Sequence, residues 1–371
     1  MELIENIAAL SSIEPEWNAL LSRSGADTIF LTWEWVRSWF ESVERSVIPF
    51  VITVRDEKGR LKGIAPFYTA KYLFLRSVPV KFLRVVADHA SGMDYPDWIV
   101  DREDENITCA SIAEALIDHS DRWDCIWMGN VAGWTGAPER ITGACKNAGL
   151  YCHTRNKTFA FIKLPESMES YMRMLSKNRH QQLARQERKV FGRGGISITR
   201  CREISQLPRF LDALVELHIR RRRKQGQKGV FERKPNELRF YKAFTPVALK
   251  LGWLRLYGLE ESGKLKAVQI GYVYNNTYFQ MQEGFDPDYV QGVGNVLRVK
   301  VIEGCIQEAL GGYDFLGEMT EHKRRWEASQ RMGFDIMIGR RNLINRIIFG
   351  LNVWPTGRYL VPVDLPHGLK S

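Results

Sequence analysis

The chain has 371 residues, 44% of them apolar and 26% charged, with a formal net charge of +10. These are the proportions of a folded globular protein with room for two ordinary domains, and they exclude global disorder. No apolar run reaches the roughly 20 residues of a membrane-spanning helix, and the first five residues are acidic where a secretory leader would be basic. The expected setting is therefore the cytoplasm. The cysteines at 109, 125, 145, 152, 201 and 305 form no CxxC pair, and no histidine completes a zinc site, so no metal is expected. The excess positive charge favours anionic partners: a phosphorylated co-substrate, nucleic acid or an anionic membrane face.

Residues 1–26 read as a leading strand and helix, with Ile13, Trp17, Leu20 and Leu21 on one helical face. Residues 30–40 read as a helix with Trp33, Val36 and Phe40 on one side and Trp35 and Trp39 beside them, a packing surface. Two strands, 49–55 and 61–68, flank the turn at 56–59. Short strands are expected at 84–86 and 98–100. The loop between them is dense in polar and aromatic groups, among them His89, Asp94 and Tyr95. It is either a capped surface loop or a place where a ligand is held. Helices are expected at 107–119 and 137–150, and strands at 124–128 and 159–164.

One long helix is expected over 167–191, with Lys177, Arg179, Arg185, Arg188 and Lys189 in its middle and end. A second, over 205–225, finishes in four arginines and Lys224. Such runs are either solvated faces or a basic rim that draws in an anionic substrate. A hairpin at 253–259 and 265–273 leads to a strand at 277–285. Asn295 then opens a helix with Val296, Leu297, Val301, Ile302, Cys305 and Ile306 on one face and Arg298, Glu303 and Gln307 on the other. Gly311 and Gly312 end it. A strand at 313–316, a helix from Thr320 or Glu321 to Trp326 and a last strand at 333–338 follow. A final helical stretch, 342–354, either packs on the body or lies on an anionic surface.

The junction Gln291-Gly-Val-Gly-Asn295 is where chemistry is most expected. A helix start presents unpaired N–H groups and a partial positive charge. Glycines just before it let phosphates approach the backbone. By itself the pattern is equally a tight turn into a packed helix.

The stretch 277–340 resembles the core of the GNAT acyltransferase superfamily. The whole chain is similar to the CelD/BcsL-type acetyltransferases, which share two GNAT-like halves with the Fem peptidoglycan aminoacyltransferases. The likeness rests on Phe30-Leu-Thr-Trp-Glu-Trp-Val-Arg-Ser-Trp39, Gly63-Ile-Ala-Pro66, Leu175-Ser-Lys-Asn-Arg179, Leu217-His218, Gly284-Phe-Asp-Pro-Asp-Tyr289, Tyr313-Asp-Phe-Leu-Gly317 and Lys323-Arg-Arg-Trp326. It implies a mixed α/β fold of tandem GNAT-like domains, each a mostly antiparallel sheet flanked by helices. The expected divisions are 1–165, 166–345 with the acyl-CoA loop, and a tail, 346–371. Tyr289 stands where the common GNAT loop has a basic residue or glutamine, with Gln291 beside the glycine instead.

By the same resemblance, acetyl-CoA or another acyl-CoA is the expected co-substrate. It would be held by Met281, Gln282, Gln291, Gly292, Val293, Gly294 and Asn295, with an amide near Met281–Gly284 facing the thioester oxygen. Acyl transfer needs a deprotonated nucleophile, donors for the oxyanion and fixed proximity. Glu283, at the strand end, is the expected base, and Tyr313 a possible acid for the thiolate. Fem-like relatives link a lysine after the penultimate strand with the developing negative charge; here that is Lys323, with His322 beside it as a proton relay. Asp94, Tyr95 and Trp326 are expected on the acceptor. The function expected is acyl transfer to an amine or hydroxyl of a sugar, polysaccharide precursor or small molecule. Aminoacyl-tRNA-dependent transfer, or a non-catalytic basic scaffold, are the alternatives.

Overall fold

The computed structural model describes residues 1–43 and 47–363. The chain forms two compact units. One holds residues 1–157 and the stretch from Met332 onward; the other is Thr158–Arg331. This grouping differs from the expected boundaries near 165 and 345. The end of the expected tail, 364–371, lies outside the described residues.

The first unit opens with strand β1 (Glu2–Ile4) and helix α1 (Glu14–Leu21), then α2 (Trp33–Ser42), β2 (Pro49–Arg55), β3 (Leu61–Phe74), β4 (Val78–Val85) and β5 (Ile99–Val100). Helices α3 (Glu105–Asp118) and α4 (Ala137–Asn147) flank β6 (Cys125–Ala132), and β7 (Tyr151–Lys163) leaves the unit. Strands β1, β2, β3 and β4 pair antiparallel in turn, and β4 runs parallel to β6. Strand β3 is longer than its alternation predicted, because β4 pairs along it from Phe67 to Phe74. The aromatic helix begins at Trp33, with Thr32 as its cap. Trp35 and Trp39 are fully buried, as a packing surface requires.

In the second unit, β7 leads to α5 (Met168–Met174) and α6 (Lys177–Phe191). The single helix expected here is broken: Leu175 is extended, and Ser176 caps α6 by accepting from the Arg179 amide at 3.3 Å. A serine cap inside a helical pattern restarts the helix on a new axis. Then come β8 (Ile196–Arg200), α7 (Leu207–Lys224), α8 (Pro235–Lys250), β9 (Leu254–Glu261), β10 (Lys264–Tyr274), β11 (Thr277–Phe285), α9 (Val293–Gln307), β12 (Gly312–Glu318), the short α10 (Glu321–Arg324) and the start of β13 (Ser329–Gly339). The sheet order is β7-β12-β11-β10-β9-β8. Only β11 and β12 are parallel, joined through α9. Helix α7 buries Leu207, Phe210, Leu211, Leu214 and Leu217, the spacing of one helical face. Each such side chain contributes about 1.5–3 kcal/mol.

The rest of β13 returns to the first unit and pairs with β6. Helix α11 (Leu343–Gly350) follows, and β14 (Leu360–Pro362) pairs with β3. Asn345 holds α11 in place: its Nδ2 donates to the carbonyls of Asp124 and Arg340. Ile348 and Phe349 are buried, but Leu343, Ile347 and Leu351 are exposed, so only part of the helix's apolar surface packs. Among the described residues no helix is long and apolar enough to cross a membrane.

Candidate active site

Strands β11 and β12 pair only over Thr277–Phe279 and Gly312–Asp314, and then part. Two local features drive them apart. Strand β11 carries a bulge at Met281, which is skipped in the register with β10. Strand β12 kinks at Leu316 and Gly317, both with positive φ. From Gln280 to Phe285 the β12-facing edge of β11 has no β12 partner.

The parting opens into a cleft of about 420 Å³ on the same side as the start of α9. Its wall includes Gln182 and Gln186 of α6, Arg221 and Lys224 of α7, Glu283, Gly292, Gly294, Asn295, Arg298 and His322. The volume is within the usual range of small-molecule sites. Gly292 caps α9 with φ 91°, a left-handed conformation that favours glycine. Among the described residues the amides of Gly294 and Asn295 donate to no protein acceptor, while that of Val293 reaches Val290 O at 3.1 Å. Gln186 lies across this entrance. Its Oε1 accepts from Asn295 Nδ2 at 3.0 Å, and a Cβ on Gly292 would fall 2.2 Å from its Cδ.

The floor is a charge cluster. Glu283 Oε1 accepts from Arg221 Nη1 at 2.9 Å, and Oε2 from Arg298 Nη2. Burial alone would raise the Glu283 pKa, but Arg298 and then Arg221 outweigh it and hold it at about 2. Arg298 Nη1 also donates to His322 Nε2 at 2.8 Å. An arginine is always a donor, so the His322 proton is on Nδ1. Partial enclosure, then the Arg298 charge, push His322 below the usual imidazole range.

This geometry bears on several of the expected roles. Glu283 is a poor base: both oxygens are occupied, and a carboxylate so acidic holds protons weakly. It serves as counter-ion to two arginines. His322 lines the cleft, but its one acceptor nitrogen is taken by Arg298. Tyr313 is fully buried away from the cleft wall. Its Oη donates to Gln280 at 2.6 Å and receives Gln269 Nε2 at 2.8 Å, so it is no acid for a thiolate. Lys323 is also absent from the wall. Its Nζ bonds the carbonyls of Leu316 at 2.5 Å, Gly317 at 3.2 Å and Glu318 at 2.7 Å, clamping the β12 kink. Lys323→Met should then destabilise by about 1–3 kcal/mol, seen as a lower Tm, because it strands carbonyls bonded to a charge.

Trp326 is buried and touches Arg179 and Arg298 through its ring, leaving no face for an acceptor. Val293 points into the core, and the Gln282 side chain donates to Glu237. Met281 is the bulged residue. Gln291, Gly292, Gly294 and Asn295 do line the cleft. Asp94 and Tyr95 are buried in the first unit, with Asp94 Oδ1 accepting from Asn130 Nδ2 at 2.7 Å.

Sequence reasoning missed Arg298, Arg221, Gln182 and Gln186. Arg298 was placed on a polar helix face, yet it is 2% exposed. A signal existed: a cation in the first turns of a helix sits at the wrong end of the dipole and needs a partner.

The acetyltransferase (GNAT) domain family matches residues 177–324. The structure superposes on FemX with a TM-score of 0.61 at 8% identity, covering 90% of this chain and 97% of that one. A conserved protein of unknown function from Bacteroides thetaiotaomicron gives 0.55 at 12% identity, covering 88% and 97%. L-PGS from Bacillus licheniformis gives 0.51 at 9%, covering 91% and 96%. At such identities the likeness is one of fold alone, a mixed α/β fold shared over more of the chain than either unit holds. No curated protein matches the sequence.

Proposed function

We propose that this chain, whose residues 177–324 match the GNAT acetyltransferase domain, moves an acyl group from acyl-CoA to an amine or hydroxyl of a small acceptor. A sugar or polysaccharide precursor is the acceptor class that the CelD/BcsL resemblance favours. The parting of β11 from β12 beside the free amides of α9 carries this reading. The Gly294 and Asn295 amides suit a diphosphate, and the open edge of β11 suits a thioester carbonyl. Arg298, paired with Glu283, and Lys224, paired with Asp288, supply N–H donors along the wall. The nucleophile would add to the carbonyl and the thiolate would leave. With no strong base at hand, the proton would pass to water, and rate would come from positioning and charge. The six free cysteines fit a reducing compartment.

Gln186 favours a second reading. It occupies the approach to Gly292, which a diphosphate would need, whereas an aminoacyl-tRNA donor would not depend on that loop. Thermal unfolding separates the two. Acetyl-CoA at a hundredfold excess over its Kd should stabilise by about 2.7 kcal/mol, or roughly 3–4 °C in Tm at this chain length. A shift with bulk tRNA and none with acetyl-CoA would move the assignment to the second reading. No shift with either would leave a basic protein without transfer activity.

A further inference from the structure

Arg179 is buried without an anion. It is 8% exposed, and among the described residues it makes no ion pair. Its Nη1 donates to Gln182 Oε1 at 3.0 Å, but Nε and Nη2 are buried with no acceptor. Those two groups form one edge of the guanidinium, the fork that takes a carboxylate or phosphate through two parallel bonds. Its Cζ lies 4.4 Å from the Trp326 ring centroid, and that of Arg298 4.9 Å from the same centroid. Arg298 Nε also lacks an acceptor. Glu283 pairs with Arg221 and Arg298, which leaves Arg179 without a carboxylate of its own. A buried cation without a partner costs stability, which a bound anion would recover.

We infer that Arg179, with Gln182 and Arg298, is a subsite for an oxyanion, a carboxylate or phosphate, carried by the acceptor. The inference rests on reading the cleft as an acyl-transfer site. Helix α6 contributes Gln182 and Gln186 to the cleft wall, and Arg179 lies behind Gln182, off the wall. Gln186 stands at the mouth of α9, and Arg179 lies seven residues back along the same helix, about 10 Å at 1.5 Å per residue. A donor diphosphate on Gly294 and Asn295 would leave this second position to a different anion. Gln182, which lines the cleft and bonds Arg179, is the side chain that must turn to admit it.

Thermal unfolding of the full chain with inorganic phosphate, and separately with CoA, tests this on wild type, Arg179→Gln and Arg179→Lys. Phosphate should raise the wild-type Tm, raise that of Arg179→Gln by less, through the α9 amides alone, and bind the Arg179 position of Arg179→Lys at least tenfold more weakly, since lysine keeps the charge but lacks the fork. CoA should stabilise all three alike. Without ligand, Arg179→Gln should unfold no lower than wild type. An equal phosphate response in all three overturns the subsite. Loss of the CoA response in Arg179→Gln overturns the acceptor assignment, because the anion would be the donor's own. Lack of a CoA response in every form, with an Arg179-dependent phosphate response, sinks the acyl-CoA reading and leaves the oxyanion site standing.

Discussion

Glu283→Gln is expected to cost about 3–5 kcal/mol of stability and nearly all transfer activity. The amide cannot neutralise Arg221 and Arg298, whose side chains are 11% and 3% exposed. Breaking a buried ion pair from one side leaves an uncompensated charge, which is the costly way to break it. Activity falls with it, because Arg298 is held on the cleft wall by that carboxylate and in turn holds His322. The pH profile carries the same information. The folded pKa of Glu283 is about 2, below its ordinary 4.5, so its stabilisation is complete above pH 4.5 and is lost as pH falls toward about 2. Its size is about 3 kcal/mol. Chemical denaturation of wild type and Glu283→Gln across that window should show the two curves converging at the acid end. A constant gap would refute the counter-ion role. Glu283→Gln with Arg298→Met should recover part of the lost stability, since the pair is removed together.

Gly284→Ala is expected to be nearly as damaging, through the backbone rather than charge. A Cβ there would stand 2.7 Å from Leu214 O and 2.7 Å from His218 N, both main-chain atoms of α7. Neither can turn aside, so the helix must retreat from β11. Overpacking of this kind costs about 1–3 kcal/mol. The retreat also carries Arg221, one turn beyond Leu217, away from Glu283, so kcat/KM should fall beyond what lost folding explains. Gly143→Ala in α4 is the control, since its Cβ would meet nothing within 4 Å. It should be neutral or stabilising by up to about 1 kcal/mol. If Gly284→Ala behaved like Gly143→Ala in thermal unfolding, the close approach of α7 to β11 would be wrong.

Much of the fold was legible because its signals are local. The alternation at 277–285, the glycines before Asn295 and the apolar spacing after it gave the order strand, loop, helix and strand that the structure holds. So did the helix of the arginine run, whose inward face is spaced at three and four residues. The break at Ser176 was missed because the apolar stripe continues through it while the axis does not. The outer part of β7, from Tyr151, was missed because its exposed residues lack alternation.

What the sequence determined by itself was most of the order of elements, without helix α8 or strand β8, and a glycine-led helix start. Each follows from backbone preference and side-chain period within a few residues. Tertiary structure alone decided the charges: that Glu283 is spent on two arginines, that Lys323 clamps a kink, and that Arg298 points inward. Those depend on polar partners from α7, α9, α10 and β12, brought within about 3 Å of one another by sheet pairing. Ion pairing acts on distance in space, and spacing along a chain does not encode it.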